Sequence, residues 1–175
     1  MFVDPVHVIA ELELQHGSRV ADLGAGSGAF SLAAAHAVGE SGRIYAVEVQ
    51  KPMLERLRNL ARQERVLNIE TLWGDVEAPQ GTHLKGQSVD AVIAANVLFQ
   101  IEDKPAFVEE AKRILKKGGR LLLLDWSDSF GNMGPHATQV VPEKQARLLL
   151  GGAGFSFVKK VPAGEHHYGL IFKRA

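Results

Sequence analysis

The sequence predicts an α/β fold: a three-layer α/β/α sandwich built on a mostly parallel sheet. Three observations carry this. Short β-branched apolar runs alternate along the chain with stretches of helical period. Most of those runs are unbroken rather than alternating, as in strands covered on both faces. The chain then ends in two strand patterns around a turn, the mark of an antiparallel hairpin.

Taken in order, Arg19 to Leu23 reads as the first strand and runs into Gly24-Ala25-Gly26-Ser27-Gly28, with a helix to follow. Arg43 to Val47 is the second strand. Lys51 to Arg65 carries Met53, Leu54, Leu57, Leu60 and Ala61 on one face behind Pro52, an amphipathic crossover helix. Asn68 to Trp73 is the third strand, and Glu77 to Gln87 after it is too polar and glycine-rich for a full helix. Ser88 to Ala95 is the fourth. Lys104 to Lys117 repeats the helical pattern with Phe107, Val108, Ala111, Ile114 and Leu115. Lys116-Lys117-Gly118-Gly119 supplies cations against the helix dipole and then glycine, so the helix stops there and a fifth strand runs from Arg120 to Trp126. A last helix from Pro142 to Leu150 stops at Gly151-Gly152. Phe155 to Val161 and His167 to Lys173 form the hairpin around Pro162-Ala163-Gly164-Glu165.

At 175 residues and 19.0 kDa the expectation is one core and one domain over residues 1–175. The apolar runs are too short to span a bilayer, and Met1 to Val8 lacks the pattern of a signal peptide, so a cytoplasmic protein with no membrane span is expected. With no cysteine there is no thiolate nucleophile or thiolate metal site. Lys plus Arg and Asp plus Glu both number 20, without the basic excess of a protein held by nucleic-acid phosphates. A small-molecule partner is favoured over nucleic acid.

Glycine at every second position after a buried strand lets the backbone approach a ligand closely. Dinucleotide enzymes use a similar turn with the third glycine one residue later, where this chain has Ala29. Glu48, twenty positions after Gly28, ends the second strand, where a carboxylate accepts from both ribose hydroxyls of an adenosine. Asp75, in Trp73-Gly74-Asp75-Val76, ends the third strand at the same sheet edge, where an aspartate can accept from an adenine amino group or simply close a turn.

These three elements in this order resemble the class I S-adenosylmethionine-dependent methyltransferases, over about Gly17 to Arg174. The resemblance implies a sheet of seven strands in the order 3-2-1-4-5-7-6 with strand 7 antiparallel, and S-adenosylmethionine as cofactor. It implies that Gly24, Ala25, Gly26 and Gly28 form the cofactor loop and that Asp22 reaches the methionine amino group. Glu48 would hold the ribose, Val49 and Met53 would flank the adenine, and Gly74, Asp75 and Val76 would meet its edge. Asn96 and Val97 would face the methionine. Within the class, Asp90 to Asp103 and Glu110 to Arg120 are similar to the compact branch of ubiquinone and menaquinone C-methyltransferases. Two departures stand out: only a short segment precedes the first strand, where relatives carry lid helices, and the helix is weak after the third. The pocket is then open or completed by a partner, and a second copy covering the apolar patch at the short N-terminus would give a homodimer.

Without cysteine, methylation of pyrimidine C5 through a thioether and methylation of cysteine-bound arsenic are both excluded. Asn96-Val97-Leu98-Phe99 also differs from the Asn/Asp-Pro-Pro-Tyr/Phe run of enzymes acting on exocyclic nitrogens. No fixed catalytic residue is assigned, because the sulfonium is already a good leaving group and the protein contributes mainly proximity and alignment. His7, Phe99, Asp125, Trp126, His136, His167 and Tyr168 are the candidates to line an acceptor pocket. His166 and His167 point to opposite faces of a strand, which makes a poor metal pair, and no metal is expected. Three alternatives stand beside the small-molecule methyltransferase: a non-catalytic cofactor-binding partner protein, an RNA or protein methyltransferase, and an NAD-dependent oxidoreductase.

Overall fold

A computed structural model describes residues 3–175, so the first two residues of the Met1 to Val8 stretch lie outside the described residues. The strands are β1 (Arg19–Leu23), β2 (Arg43–Glu48), β3 (Ile69–Trp73), β4 (Val89–Ala95), β5 (Leu115–Trp126), β6 (Phe155–Val161) and β7 (His167–Arg174). They form one seven-stranded sheet in the order β3-β2-β1-β4-β5-β7-β6, as expected. β1 to β5 pair in parallel, while β7 is antiparallel to both β5 and β6.

Strand alternation explains the unbroken apolar runs. Ala21, Val92, Leu121, Leu123, Leu170 and Phe172 face a cluster with Phe107, Val108, Ala111 and Ile114 of α4 (Lys104–Ile114) and Ala146 and Leu150 of α5 (Glu143–Gly152). Their neighbours Val20, Ala91, Ile93, Leu122, Leu124 and Ile171 face the other side, against Ala33, Ala34 and Val38 of α2 (Ala29–Val38). The apolar residues of the central strands therefore bury their side chains in one of two cores, which leaves the strand ends as the open parts of the sheet. A third, smaller cluster joins Leu32, Ala46 and Leu57 under α3 (Lys51–Gln63).

Several boundaries differ from the sequence reading. A helix precedes β1: α1 (Pro5–Ala10) is capped by Asp4, whose Oδ1 accepts from Val6 N–H at 2.9 Å, and it buries Val8 and Ile9 against the α2 face. Its six residues are too few to display a helical period. α3 ends at Gln63, two residues before the predicted Arg65, which has left-handed backbone. α4 ends at Ile114 rather than Lys117, because Leu115 pairs with Val89 of β4 and starts β5 five residues early. Lys116 meets Asp90 at 2.7 Å instead of capping a helix, and the ladder is irregular until Arg120 pairs with Ala91. Gly151 and Gly152 do not stop α5, which continues through both and exits at the left-handed Gly154.

The crossover between β3 and β4 contains turns and no helix, as its composition implied. Glu110 of α4 fixes it from below. Its Oε1 accepts from Thr82 N–H at 3.2 Å and Thr82 Oγ1 at 2.6 Å, while Arg113 neutralises the buried carboxylate at 2.7 Å.

Leu122 is fully buried at the sheet centre, whereas Leu148 on α5 is 68% exposed. Leu122→Ala should lower unfolding free energy by about 2–5 kcal/mol, measured by urea denaturation. Leu148→Ala should change it by less than about 0.5 kcal/mol.

Candidate cofactor cleft at the carboxyl edge

Between β1 and α2 the chain turns at Gly24 to Gly28, and two hydrogen bonds tie this turn to β2. The carbonyl of Val47 accepts from Gly24 N–H at 2.9 Å and from Ala25 N–H at 3.1 Å. The next residue completes the tie. Glu48, 7% exposed, accepts from Gly26 N–H through Oε2 and from Gln50 N–H through Oε1, both at 2.9 Å. One carboxylate thus fixes the glycine loop against the entry to α3.

The glycines have different jobs. A Cβ on Gly24 would lie 2.5 Å from Val97 Cγ2, and one on Gly28 would lie 2.1 Å from Leu57 Cδ1, so both are needed for close packing. A Cβ on Gly26 would meet nothing within 4 Å, since that position faces open space.

A cleft of about 480 Å³ opens in front of the loop. Of the residues predicted for the cofactor, Gly24, Ala25, Gly26, Glu48, Val49, Met53, Gly74, Asp75, Val76, Asn96 and Val97 all line it. Gly28 does not; it packs on α3. Asp22 does not either: it is 2% exposed and accepts from Ser31 Oγ at 2.6 Å, at the start of α2 behind the loop.

Asp75 Oδ1 accepts from Glu77 N–H at 2.9 Å. Glu77 Oε1 in turn accepts from Glu102 and Asp103 N–H, each at 2.7 Å, which ties the β3 exit to the loop before α4. Asn96, just past β4, has left-handed backbone (φ 54°), a conformation that costs energy and concentrates at functional sites. Its side-chain Oδ1 is buried without a hydrogen-bond partner in the protein.

Sequence reasoning missed Phe30, Gln50, Glu77 and Gln100, which also line the cleft. Gln50 and Glu77 directly follow Val49 and Val76, and Phe30 lies in the first turn of α2. Reading each sheet-edge loop one to three residues further would have found them.

The acceptor candidates divide differently, and the structure moves two of them into the frame of the fold. Asp125 is 1% exposed and accepts from Trp126 N–H at 2.8 Å and Phe99 N–H at 3.2 Å, so it anchors the 3-10 turn Leu98–Gln100 instead of facing the cleft. Burial pushes its carboxyl up to about 6. Tyr168 is buried and donates its hydroxyl to the Val141 carbonyl at 2.9 Å, with its pKa raised by burial. His7 is exposed beside Asp4, and His136 is exposed on the segment after β5; neither lines the cleft, nor does Phe99. Trp126 and His167 face each other across β5 and β7, ring centroids 4.1 Å apart. Among the described residues no group of three His, Cys, Asp or Glu side chains is arranged to hold a metal ion. No helix there is long and apolar enough to cross a membrane.

Comparison with known proteins agrees with this architecture. The profile of a methyltransferase-domain family matches residues 14–150. The sequence is similar to ubiquinone/menaquinone biosynthesis C-methyltransferase UbiE of Haemophilus ducreyi, 32% identical over 117 residues, covering 65% of this chain and 43% of that protein. It is 28% identical over 144 residues to UbiE of Marinomonas sp., covering 82% of this chain and 55% of that one. The chain therefore spans about half the length of the curated relatives it matches. A solved S-adenosylmethionine-dependent methyltransferase from Aquifex aeolicus superposes with a TM-score of 0.89 at 27% identity, covering 99% of this chain and 91% of that one.

Asp22 provides a pH test. Burial lifts its pKa from 3.8 to about 6, opposed by the Ser31 hydrogen bond and assisted by the charge of Glu48. The folded state then holds this proton more tightly than the unfolded chain. The resulting stability is fully present below pH 3.8 and is lost as pH rises through about 6. Asp22→Asn should flatten this part of the stability profile, read from urea midpoints across the window.

Proposed function

The chain belongs to the class I S-adenosylmethionine-dependent methyltransferase family, and from that premise we propose that residues 1–175 act as one domain that methylates a small-molecule acceptor. The observation that carries the cofactor reading is the charge of the cleft. Its ionisable lining groups are Glu48, Asp75 and Glu77, with no lysine, arginine or histidine among the lining residues. Acidic groups and orphan acceptors suit a ligand that is cationic and rich in O–H and N–H donors. A sulfonium bearing an ammonium group, two ribose hydroxyls and an adenine amino group is such a ligand. The pyrophosphate of a dinucleotide would meet like charge.

Glu48 already holds one backbone N–H on each oxygen and has lone pairs left for the ribose hydroxyls. Val49 and Met53 supply apolar surface for the adenine, and Asp75 accepts from its amino group. The unpartnered Asn96 Oδ1 accepts from the ammonium group. Asp22 supports this end from behind, holding the first turn of α2 through Ser31.

When bound, the cofactor supplies an activated methyl group for in-line displacement. The chain's own contribution is to align that group with an acceptor and keep water out. A carbon acceptor is favoured by the C-methyltransferases that the sequence resembles, and the balanced charge of the chain favours a small molecule over nucleic acid.

Calorimetric titration with S-adenosylhomocysteine should give micromolar binding, and NAD should give none. Glu48→Ala should weaken S-adenosylhomocysteine by about 1–3 kcal/mol, the cost of leaving buried hydroxyls unpaired. Binding of NAD alone would reverse the assignment.

A further inference from the structure

The two edges of the sheet are built differently. At one edge β6 carries a register irregularity between Phe157 and Lys159, and Lys159 and Lys160 are ion-paired to Glu11 and Glu143. A bulge and lysines on an edge strand discourage another chain from adding to it. At the other edge β3 pairs with β2 in unbroken register, and its residues Ile69–Trp73 include neither lysine nor proline.

The carbonyl of Asn68 accepts from Ile44 N–H at 2.9 Å, and Gly74 N–H donates to the Glu48 carbonyl at 3.2 Å. Backbone direction alternates along a strand, so Glu70 and Leu72 also point toward β2. Ile69, Thr71 and Trp73 therefore aim their N–H and C=O groups out of the sheet, and among the described residues no backbone group takes them up. Leu67 and Trp73, at the two ends of this free edge, are 88% and 57% exposed.

Cations run beside the edge. Residues 51–73 hold Lys51, Arg56, Arg58, Arg62 and Arg65 against Glu55, Glu64 and Glu70. Among the described residues none of these five cations forms an ion pair, whereas the cations Arg113, Lys116, Arg120 and Arg147 around β5 and α5 all do. Arg58 donates Nε–H to Thr71 Oγ1 at 2.7 Å, which fixes it against the strand and leaves its two terminal nitrogens for a carboxylate. Arg62 lies one turn further along α3 on the same face. Trp73 donates Nε1–H to the Val49 carbonyl at 2.9 Å, and Lys51 Nζ lies 4.4 Å from the ring centroid, so the indole is a fixed platform whose polar atom is already used.

We propose that the β3 edge is a docking site for an acidic, extended segment of a partner protein, which adds to the sheet as a further strand. Its backbone pairs with Ile69, Thr71 and Trp73. Every second side chain of the segment then shares the α3 face with Thr71 and Trp73, where carboxylates meet Arg58 and Arg62, and the others lie beside the half-buried Leu72. Nucleic acid would also meet the cations, but it would leave the outward N–H and C=O groups of β3 without strand partners. The proposal does not depend on the cofactor reading.

The test titrates the isotope-labelled full chain with capped octapeptides and follows its amide signals by NMR. The probe alternates valine and glutamate. One control replaces each glutamate by lysine; the other replaces each valine by proline, which keeps the carboxylates but removes every second N–H and the strand geometry. The valine–glutamate peptide should shift the Ile69, Thr71 and Trp73 amides saturably and slow their hydrogen exchange. Both controls should bind at least about tenfold more weakly, the worth of one charge-assisted hydrogen bond. Arg58→Gln combined with Arg62→Gln should weaken the peptide at least about tenfold and leave S-adenosylhomocysteine affinity unchanged. No saturable shift at β3, equal binding of the proline peptide, or unchanged peptide affinity in the double variant would overturn the proposal. Tighter binding of an oligothymidine than of the peptide would overturn it in favour of nucleic acid.

Discussion

Everything in the cleft is held relative to one carbonyl, that of Val47, which receives both N–H groups at the start of the glycine turn. Through it the end of β1 is locked to the end of β2, and Glu48, the next residue, extends the lock to Gly26 and to the entry of α3. The geometry follows from parallel pairing: two strands leaving the sheet side by side bring their loops out at the same edge. The two cores on the sheet faces leave that edge as the place where backbone groups remain available to a ligand.

The cleft spends this rigidity on acceptors. Three carboxylates and an unpartnered amide oxygen converge, while the donors that satisfy them within the protein are mostly backbone N–H groups. A left-handed Asn96 costs energy that a packed loop would avoid. These features fit one kind of occupant, a cation with many donors, and they argue against phosphates more firmly than the spacing of the glycines does.

Most of this was legible in the sequence, for a physical reason. Strands covered on both faces must be apolar throughout, and edge loops that serve a ligand need glycine and carboxylates at strand ends, so both leave marks in composition. The parts that were not legible depend on contacts distant in sequence. Lys116 to Gly119 reads as a helix stop, yet Val89 recruits Leu115 into the sheet and Asp90 takes the lysine. Gly151 and Gly152 read as a stop too, but the buried Leu150 and Ala146 hold the helix through them. Asp125 and Tyr168 read as pocket residues because they sit at strand ends, and only the fold shows their polar atoms committed to Phe99, Trp126 and Val141.

The central claim is that the carboxyl-edge cleft holds the adenosyl cofactor, and amide hydrogen exchange with and without S-adenosylhomocysteine tests it most directly. The account predicts slowed exchange concentrated at Gly24 to Gly26, Glu48 to Gln50, Gly74 to Glu77 and Asn96 to Val97, with little change in β6 and β7. Protection elsewhere, or none at these four segments under saturating ligand, would contradict it.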